Sequence, residues 1–254
     1  MLIAIDIGNS SITIGFFTDL GLSVQRLDTL PLRSAREYAV LIDSFLSEND
    51  REKTFAGGII SSVVPGHTSV LRETLKQLIP AAPLIADHTL DTGISFDIPE
   101  PEGLGSDRIA NAVAVHELYS GPVAVADFGT ATAISIINGS HFIGGAIIPG
   151  IRLMNESLAL KTAQLPQATL LAPLRSALGT TTAHCIQSGL LFGTAGGVER
   201  IVSEIEQETG FSFRIIATGG YGSLVSPFLR REHALHPYLT LEGLRLLFTR
   251  NMHA

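Results

Sequence analysis

Two short segments that begin with aspartate constrain the fold of this chain more than any other feature. They read Asp6-Ile7-Gly8-Asn9-Ser10 and Asp127-Phe128-Gly129-Thr130-Ala131-Thr132. Each follows an apolar run and precedes a run rich in β-branched residues, which predicts two strands joined by a tight polar turn. The two aspartates are 121 residues apart in a chain of 254. This half-chain spacing predicts a duplicated domain with one such hairpin in each copy.

The paired turns indicate a site for a phosphorylated ligand. Backbone N–H groups of a glycine turn bind phosphate oxygens, and carboxylates hold the metal ion that such a ligand brings. Either segment taken alone is equally typical of an ordinary hairpin, because Asp, Gly and Asn are common in turns. The sequence contains neither a Walker-type phosphate loop nor a dinucleotide fingerprint after a strand. The first interpretation is therefore an ATP-dependent phosphotransferase.

Composition excludes several classes of protein. A hydrophobic fraction of 45% with 16% charged residues is typical of a folded chain. The net charge of −7 gives no basic surface for nucleic acid, so no nucleic-acid partner is expected. No apolar stretch approaches the ~18 residues of a membrane span, so no membrane association is expected. The single cysteine, Cys185, fits a reducing compartment, and the first residues lack the basic region of a signal peptide. We therefore expect a cytoplasmic protein.

Alternating strand and helix patterns predict an α/β fold. Each half begins with three strands and continues with helices and further strands, so we divide the chain into domains 1–120 and 121–254. The predicted strands include residues 2–7, 11–17, 22–29, 55–64, 123–128, 131–137, 141–148 and 214–218. The predicted helices include residues 70–78, 106–119, 180–208 and 239–248. Ser34 and Glu37 have the spacing of a capping box, which predicts another helix after them.

A third candidate site lies where a glycine-containing loop meets the helix predicted at residue 106. The segment is Gly103-Leu104-Gly105-Ser106-Asp107-Arg108, and a helix N-terminus favours an anionic ligand. Two interpretations of the charged pair stay open on residue chemistry alone. In the first, Asp107 interacts with the helix dipole and Arg108 is solvated. In the second, Asp107 accepts a proton from a substrate hydroxyl while Arg108 binds a carboxylate.

These motifs together resemble the type III pantothenate kinases, of the acetate and sugar kinase/Hsp70/actin superfamily. The resemblance covers almost the whole chain. Its motifs are Asp6-Ile7-Gly8-Asn9-Ser10, Ile60-Ser61-Ser62-Val63-Val64-Pro65, Gly105-Ser106-Asp107-Arg108, Asp127-Phe128-Gly129-Thr130-Ala131, Gly144-Gly145-Ala146-Ile147-Ile148-Pro149-Gly150, residues 179–182, Thr218-Gly219-Gly220 and Leu239-Thr240-Leu241-Glu242-Gly243-Leu244. It implies a duplicated actin-like ATPase (ribonuclease H-like) fold with two similar domains, whose mixed sheets are flanked by helices. It also implies phosphorylation of pantothenate by ATP to 4'-phosphopantothenate, the first step of coenzyme A biosynthesis.

The resemblance also implies roles for individual residues. The ATP-binding residues would be Asp6, Ile7, Gly8, Asn9, Ser10, Ser11, Ile12 and Thr13 of the first hairpin and Thr130 of the second. Asp107 would be the general base, and Asp127 would place a monovalent cation (K⁺ or NH₄⁺) needed beside Mg²⁺. The pantothenate pocket would comprise Phe96, Gly105, Ser106, Asp107, Arg108 and Thr182, with Thr182 supplied by the partner subunit of a homodimer.

Two positions depart from the usual residues of the family. Phe96 stands where tyrosine is common, which removes a hydroxyl, and Ser10 stands where threonine is usual, which keeps one. Three rival functions are a kinase for another hydroxylated acid, a non-catalytic nucleotide-binding regulator and an Hsp70-like ATPase. The chain leaves no room for the peptide-binding domain of the last. Asp6, Asp107, Arg108 and Asp127 argue against a non-catalytic regulator.

Overall fold

An antiparallel meander of three strands opens each half of the chain. The computed structural model describes residues 1–48, 54–170, 174 and 176–252. By its contacts the chain divides into two units. The first comprises Met1–Ser95, Pro99–Glu117 and the chain from Leu239 onward, and the second comprises Phe96–Ile98 and Leu118–Tyr238.

The described residues form strands and helices that alternate along the chain. The strands are β1 (Leu2–Ile7), β2 (Ser11–Thr18), β3 (Gly21–Asp28), β4 (Gly57–Ser62), β5 (Leu84–Ile85), β6 (Ser95–Phe96), β7 (Val123–Phe128), β8 (Ala131–Asn138), β9 (His141–Pro149), β10 (Arg214–Thr218) and β11 (His233–Leu235). The α-helices are α1 (Ala35–Glu48), α2 (Pro65–Leu78), α3 (Ser106–Leu118), α4 (Ile151–Lys161), α5 (Thr182–Thr209), α6 (Gly222–Val225) and α7 (Leu239–Asn251). Short 3-10 helices cover Pro101–Gly103 and Ser226–Phe228.

The sheet of the first unit has the strand order β3-β2-β1-β4-β5. Strands β1 to β3 pair antiparallel, whereas β4 pairs parallel with β1 and β5 parallel with β4. Alternate residues of a strand share one face. On β1 these are Ile3, Ile5 and Ile7, which are fully buried in a core with α1 and α2. Ala4 and Asp6 lie on the opposite face of β1.

The opposite face of the same sheet is covered by α7. A Cβ atom on Gly57 of β4 would overlap the ring of Phe248, and one on Gly15 of β2 would lie 2.9 Å from Leu241. Helix α7 also lies against α3, where a Cβ on Gly243 would overlap the backbone of Ala110. At Gly243 the close approach requires glycine, because the overlap is with backbone atoms. At Gly15 and Gly57 a Cβ would displace the side chains of Leu241 and Phe248.

The sheet of the second unit repeats this topology. Its order is β11-β10-β7-β8-β9-β6, in which β7, β8 and β9 pair antiparallel and β10 pairs parallel with β7. The first five of these strands reproduce the pairing of β5-β4-β1-β2-β3. A separate core of buried apolar residues, including Phe128 and Ile134, packs against the long helix α5. The expected duplication of mixed sheets flanked by helices is therefore present.

Most sequence-based boundaries agree with the structure, and the differences have local causes. Strands β1, β7 and β10 have the expected bounds. Pro65 was expected to end a strand but begins α2, since proline is well suited to the first turn of a helix. Strands β5, β6 and β11 were not predicted, because two or three residues are too few to show an alternating pattern.

The division expected after residue 120 stays a prediction about the duplicated domains. The contacts group the chain differently. Helix α7, which follows residue 120, belongs to the first unit, and residues 96–98, which precede it, belong to the second. No helix within the described ranges combines the length and the hydropathy that a membrane span requires.

Two local features of the first unit bear on its stability. Ser34 and Glu37 form the predicted capping box: the Ser34 N–H donates to Glu37 Oε2 at 2.7 Å and the Glu37 N–H donates to Ser34 Oγ at 3.3 Å. Between α1 and α2, the hydroxyl of Tyr38 lies 2.9 Å from Nδ1 of His67, and both side chains are buried. Burial lowers the pKa of His67 from its ordinary value of 6.5, and the charge of Arg33 lowers it further.

We predict that the buried histidine makes the protein sensitive to mild acid. The unfolded chain takes up a proton near pH 6.5, while the folded chain resists protonation of His67 until the pH is lower. Between those two pKa values the free energy of unfolding falls as the pH falls, by at most about 1.4 kcal/mol per pH unit for one proton. Urea denaturation between pH 5 and pH 8 measures this slope.

His67→Gln removes this contribution and is expected to flatten the slope below pH 6.5. His88→Gln, which replaces a partly exposed histidine of the same unit, is the matched control and should leave the slope in place. Equal slopes in the wild type and His67→Gln would contradict the prediction.

Candidate active site

The first hairpin turn is held in place by the end of β3. The Gly8 N–H donates to the carbonyl of Ser11 at 3.0 Å. Thr29, which directly follows β3, donates from Oγ1 to the Gly8 carbonyl at 2.7 Å and from its N–H to the Ser10 carbonyl at 3.2 Å. Ile7 pairs with Ile12, so residues 8–11 form the turn. Predicted residues 6–13 therefore form one fixed hairpin.

Asp6 lies at the centre of this edge of the sheet. Its register partners are Thr13 on β2 and Ser61 on β4. The Ser61 hydroxyl donates to Asp6 Oδ1 at 2.9 Å, and the carboxylate is only half-buried. The hydrogen bond from Ser61 thus helps to orient the carboxylate of a residue that stays partly exposed.

Asp107 and Arg108 occupy the first turn of α3. Asp107 Oδ1 accepts a hydrogen bond from the Arg108 N–H at 2.8 Å. A Cβ on Gly105 would lie 2.5 Å from the same oxygen, so a larger residue at 105 would displace the carboxylate from this position. Gly105, Asp107 and Arg108 are each half-buried, whereas Ser106 is buried.

The guanidinium of Arg108 is partly removed from water. Burial lowers the pKa of Arg108 from its usual value, and the neighbouring Asp107 carboxylate opposes that shift. A cation in such an environment gains from an anionic ligand, because the ligand replaces lost hydration. The sequence-based roles of Asp107 and Arg108 stay predictions.

The second hairpin carries Asp127 as the penultimate residue of β7. The Gly129 N–H donates to the Ala131 carbonyl at 3.0 Å, and the Gly150 N–H donates to the Thr130 carbonyl at 3.1 Å. Thr130 itself is exposed. Phe128 pairs with Thr132, so residues 129–131 form this turn. The Asp127 carboxylate lies directly over Gly219, where a Cβ would overlap its Oδ1.

The two remaining predicted residues lie on other elements of the second unit. Phe96 is on β6, at the edge beside β9, with its ring 6.1 Å from the ring of Phe142. Thr182 is the first residue of α5 and is exposed; Thr181 caps that helix by accepting from the His184 N–H at 3.2 Å.

Two residues beside the first hairpin were missed by the sequence interpretation. Ser61 belongs to a quoted motif, but its position next to Asp6 depends on β4 pairing with β1, which a local pattern does not reveal. Arg26 on β3 is paired with Thr13 and donates to Ser11 Oγ at 3.0 Å, which brings a positive charge to the hairpin. The sequence pattern predicted that Arg26 lies on a strand, but it did not predict which residues of β2 lie beside it.

Comparison with known proteins places this geometry in a class. A conserved Campylobacter jejuni protein provisionally assigned to the Baf family of transcriptional activators has a TM-score of 0.61 at 20% identity, over 99% of this chain and 100% of that one. The activator of 2-hydroxyisocaproyl-CoA dehydratase from Clostridium difficile, solved with bound ADPNP, has a TM-score of 0.53 at 8% identity, over 96% and 92%. At these identities the likeness concerns the fold alone. It confirms the predicted α/β architecture of the actin-like ATPase and sugar kinase fold.

The sequence comparisons define the family within that class. Residues 2–204 match the model of the type III pantothenate kinases. A type III pantothenate kinase from Moorella thermoacetica is 37% identical over 254 residues, covering 99% of this chain and 100% of the relative. One from Roseiflexus sp. is 39% identical, with 99% coverage of both chains. The chain therefore belongs to the type III pantothenate kinase family, which confirms the predicted resemblance and the predicted enzyme class.

We predict that Gly219→Ala damages the second hairpin. Gly219 has φ +85°, where alanine is strained, and its Cβ would also meet Asp127 and lie 2.8 Å from backbone atoms of Phe128 in a central strand. The free energy of unfolding should fall by more than the roughly 1–2 kcal/mol of left-handed strain alone. Chemical denaturation measures the loss.

Gly139→Ala is the matched control for this effect. Gly139 has φ +61° in the turn between β8 and β9, and its Cβ would meet nothing within 4 Å. The control therefore carries the strain without the overlap. Equal losses for the two variants would show that the contact with Asp127 contributes nothing.

Proposed function

We propose that this site phosphorylates pantothenate with ATP, the reaction of the type III pantothenate kinases, and that Asp107 acts as its general base. Family membership supports the reaction and its place in coenzyme A biosynthesis. The observation that carries the residue assignment is the position of Asp107. It is a half-buried carboxylate in the first turn of α3, beside a partly desolvated arginine, and its neighbour Ser106 is connected to Asp6 through Ser61.

The proposed mechanism relies on positioning more than on covalent chemistry. Phosphoryl transfer leaves the protein little bond-making to perform, so orientation and neutralisation of charge dominate catalysis. Asp107 orients the primary hydroxyl of pantothenate and accepts its proton. Arg108 binds the pantothenate carboxylate, with Gly105 and Ser106 lining the pocket and Phe96 and Thr182 completing it.

The first hairpin would hold the nucleotide. The turn of this hairpin would supply backbone hydrogen-bond donors to phosphate oxygens, with the side chains of residues 6–13 around it, and Thr130 of the second hairpin would add a further contact to ATP. The described residues contain no cluster of three or more metal-ligating side chains. This fits Mg²⁺, which binds nucleotide phosphates through one or two carboxylates and keeps several waters. Asp6, oriented by Ser61, would hold it, and the ion would neutralise phosphate charge.

Asp127 would hold the monovalent cation. The chain leaves room for its carboxylate only because residue 219 is glycine. Asp127 is half-buried, which limits competition from water for a weakly held ion. We also propose a homodimer, in which Thr182 serves the partner's pocket, and a cytoplasmic location without nucleic-acid or membrane partners.

A coupled assay of ADP release tests the reaction. Pantothenate should support turnover in the presence of Mg²⁺ and K⁺, whereas a panel of polyols and other hydroxy acids should not. Turnover with another acceptor and none with pantothenate would assign the site to a different kinase reaction. ATP binding without turnover on any acceptor would favour a non-catalytic regulator.

We predict that Asp107→Asn lowers kcat by ~10²-fold or more, the scale expected when a general base is removed. Asparagine keeps an oxygen that can accept from the Arg108 N–H, so the fold should persist, and circular dichroism checks this. Asp19→Asn, at an exposed turn between β2 and β3, is the control and should retain wild-type turnover. Near-normal kcat in Asp107→Asn would remove Asp107 from the mechanism.

We predict that Asp127→Asn raises the half-saturating K⁺ concentration by about tenfold or more, since a tenfold change corresponds to about 1.4 kcal/mol of binding free energy. The loss of the carboxylate charge is the cause, because hard cations are held by charged oxygen ligands. Titrating K⁺ in the coupled assay measures the change. Glu208→Gln, an exposed change of the same charge in the same unit, should leave the K⁺ dependence unaltered.

A further inference from the structure

A buried pair of serines joins Asp6 to the start of α3. Ser61 Oγ lies 2.9 Å from Asp6 Oδ1 and 3.0 Å from Ser106 Oγ. Ser106 Oγ in turn lies 2.9 Å from the N–H of Ser62. Ser61 is fully buried and Ser106 is 8% exposed. We call the hydrogen bonds that run from the Ser62 N–H through Ser106 and Ser61 to Asp6 the serine bridge.

The hydrogen atoms available give the serine bridge a direction. An ionised carboxylate only accepts hydrogen bonds, so Ser61 donates its single hydroxyl hydrogen to Asp6. With that hydrogen committed, Ser61 accepts in its contact with Ser106, and Ser106 is the donor. Ser106 accepts from the Ser62 N–H and shares its own hydrogen between Ser61 Oγ and the Ser62 carbonyl, which lies 3.3 Å away. The link from Ser61 to Asp6 is charge-assisted.

We propose that Ser61 is a positioning residue that fixes Asp6 relative to the helix that carries Asp107. The proposal rests on the proposed function, in which Asp6 holds the Mg²⁺ of the nucleotide and Asp107 binds the acceptor hydroxyl. Ser106 directly precedes Asp107, so the serine bridge connects Asp6 to the residue before Asp107 through two buried hydroxyls. All of its members lie in the first unit.

The neighbouring strands explain why Ser61, and not another residue, connects Asp6 to α3. Asp6 is flanked by Thr13 on β2 and by Ser61 on β4. Of these two, Thr13 belongs to the hairpin itself and moves with Asp6, whereas β4 leads directly into the segment that bonds Ser106. A hydroxyl at residue 61 is therefore the shortest connection from Asp6 to α3.

Ser61→Ala tests the proposal through two measurements. The half-saturating Mg²⁺ concentration should rise and kcat should fall, each by roughly tenfold to a hundredfold, the change expected when a hydrogen bond to a charged group is lost. The KM for pantothenate should change by less than about threefold, because the acceptor pocket keeps its residues. Calorimetry with ADP should show weaker binding with Mg²⁺ and unchanged binding without it.

A second variant separates the hydrogen bond from the space that the side chain fills. Ser61→Cys keeps a side chain of similar size but replaces the hydroxyl by a weak donor. It should remain impaired in Mg²⁺ dependence. Recovery of wild-type Mg²⁺ dependence in Ser61→Cys would overturn the proposal, because the defect of Ser61→Ala would then come from a cavity.

Thr74→Val is the matched control. Thr74 is also fully buried in the first unit, but its hydroxyl donates to backbone carbonyls of Ala35 and Val70. Loss of this hydroxyl should lower the free energy of unfolding and leave the Mg²⁺ dependence unchanged. Equal shifts in Mg²⁺ dependence for Thr74→Val and Ser61→Ala would overturn the proposal, as would wild-type behaviour of Ser61→Ala.

The binding measurement keeps this proposal distinct from the proposed function. If the wild type failed to phosphorylate pantothenate, the proposed function would be wrong. The Mg²⁺-dependent binding of ADP would still decide the role of Ser61, because it needs no acceptor. Unchanged Mg²⁺-dependent binding in Ser61→Ala would overturn the role of Ser61 while leaving the kinase reaction intact.

Discussion

The register of β1 between its two neighbours is the constraint on which the site depends. Three isoleucines at alternate positions of β1 are buried in the core, so Asp6 lies on the other face of the strand. A slip of one residue would exchange the two faces and move the carboxylate into the core. Hydrophobic burial thus fixes the direction in which the carboxylate projects. The hydrogen bond from Ser61 then fixes its final orientation.

The two units repeat one topology but differ at the turns. Pairing of Ile7 with Ile12 leaves residues 8–11 in the first turn, whereas pairing of Phe128 with Thr132 leaves residues 129–131 in the second. The first turn therefore has one more residue and is anchored by Thr29, while the second is anchored by Gly150. The two turns therefore differ in length and in anchoring although the two units share one topology.

The sequence predicted the parts of the fold that depend on local pattern. Apolar runs interrupted by polar turns located β1 and β7 correctly, and the spacing of Ser34 and Glu37 located the start of α1. It did not predict the role of Ser61, because the parallel pairing of β4 with β1 joins residues 55 positions apart. It also missed Arg26 at the hairpin, whose position depends on the register between β2 and β3. Strand order is decided by long-range packing, which no short window of sequence contains.

Helix α7 has a consequence for the order in which this protein is made. It is synthesised after the whole of the second unit, yet it covers one face of the first sheet and packs against α3 at Gly243. Domains generally fold as units during translation, from the N-terminus onward. Here the helix that closes the first unit emerges only after the second unit, so the β1–β4 face of the nascent chain stays uncovered until then. The glycines at 15 and 57 face α7, so these two positions stay uncovered until that helix has been made.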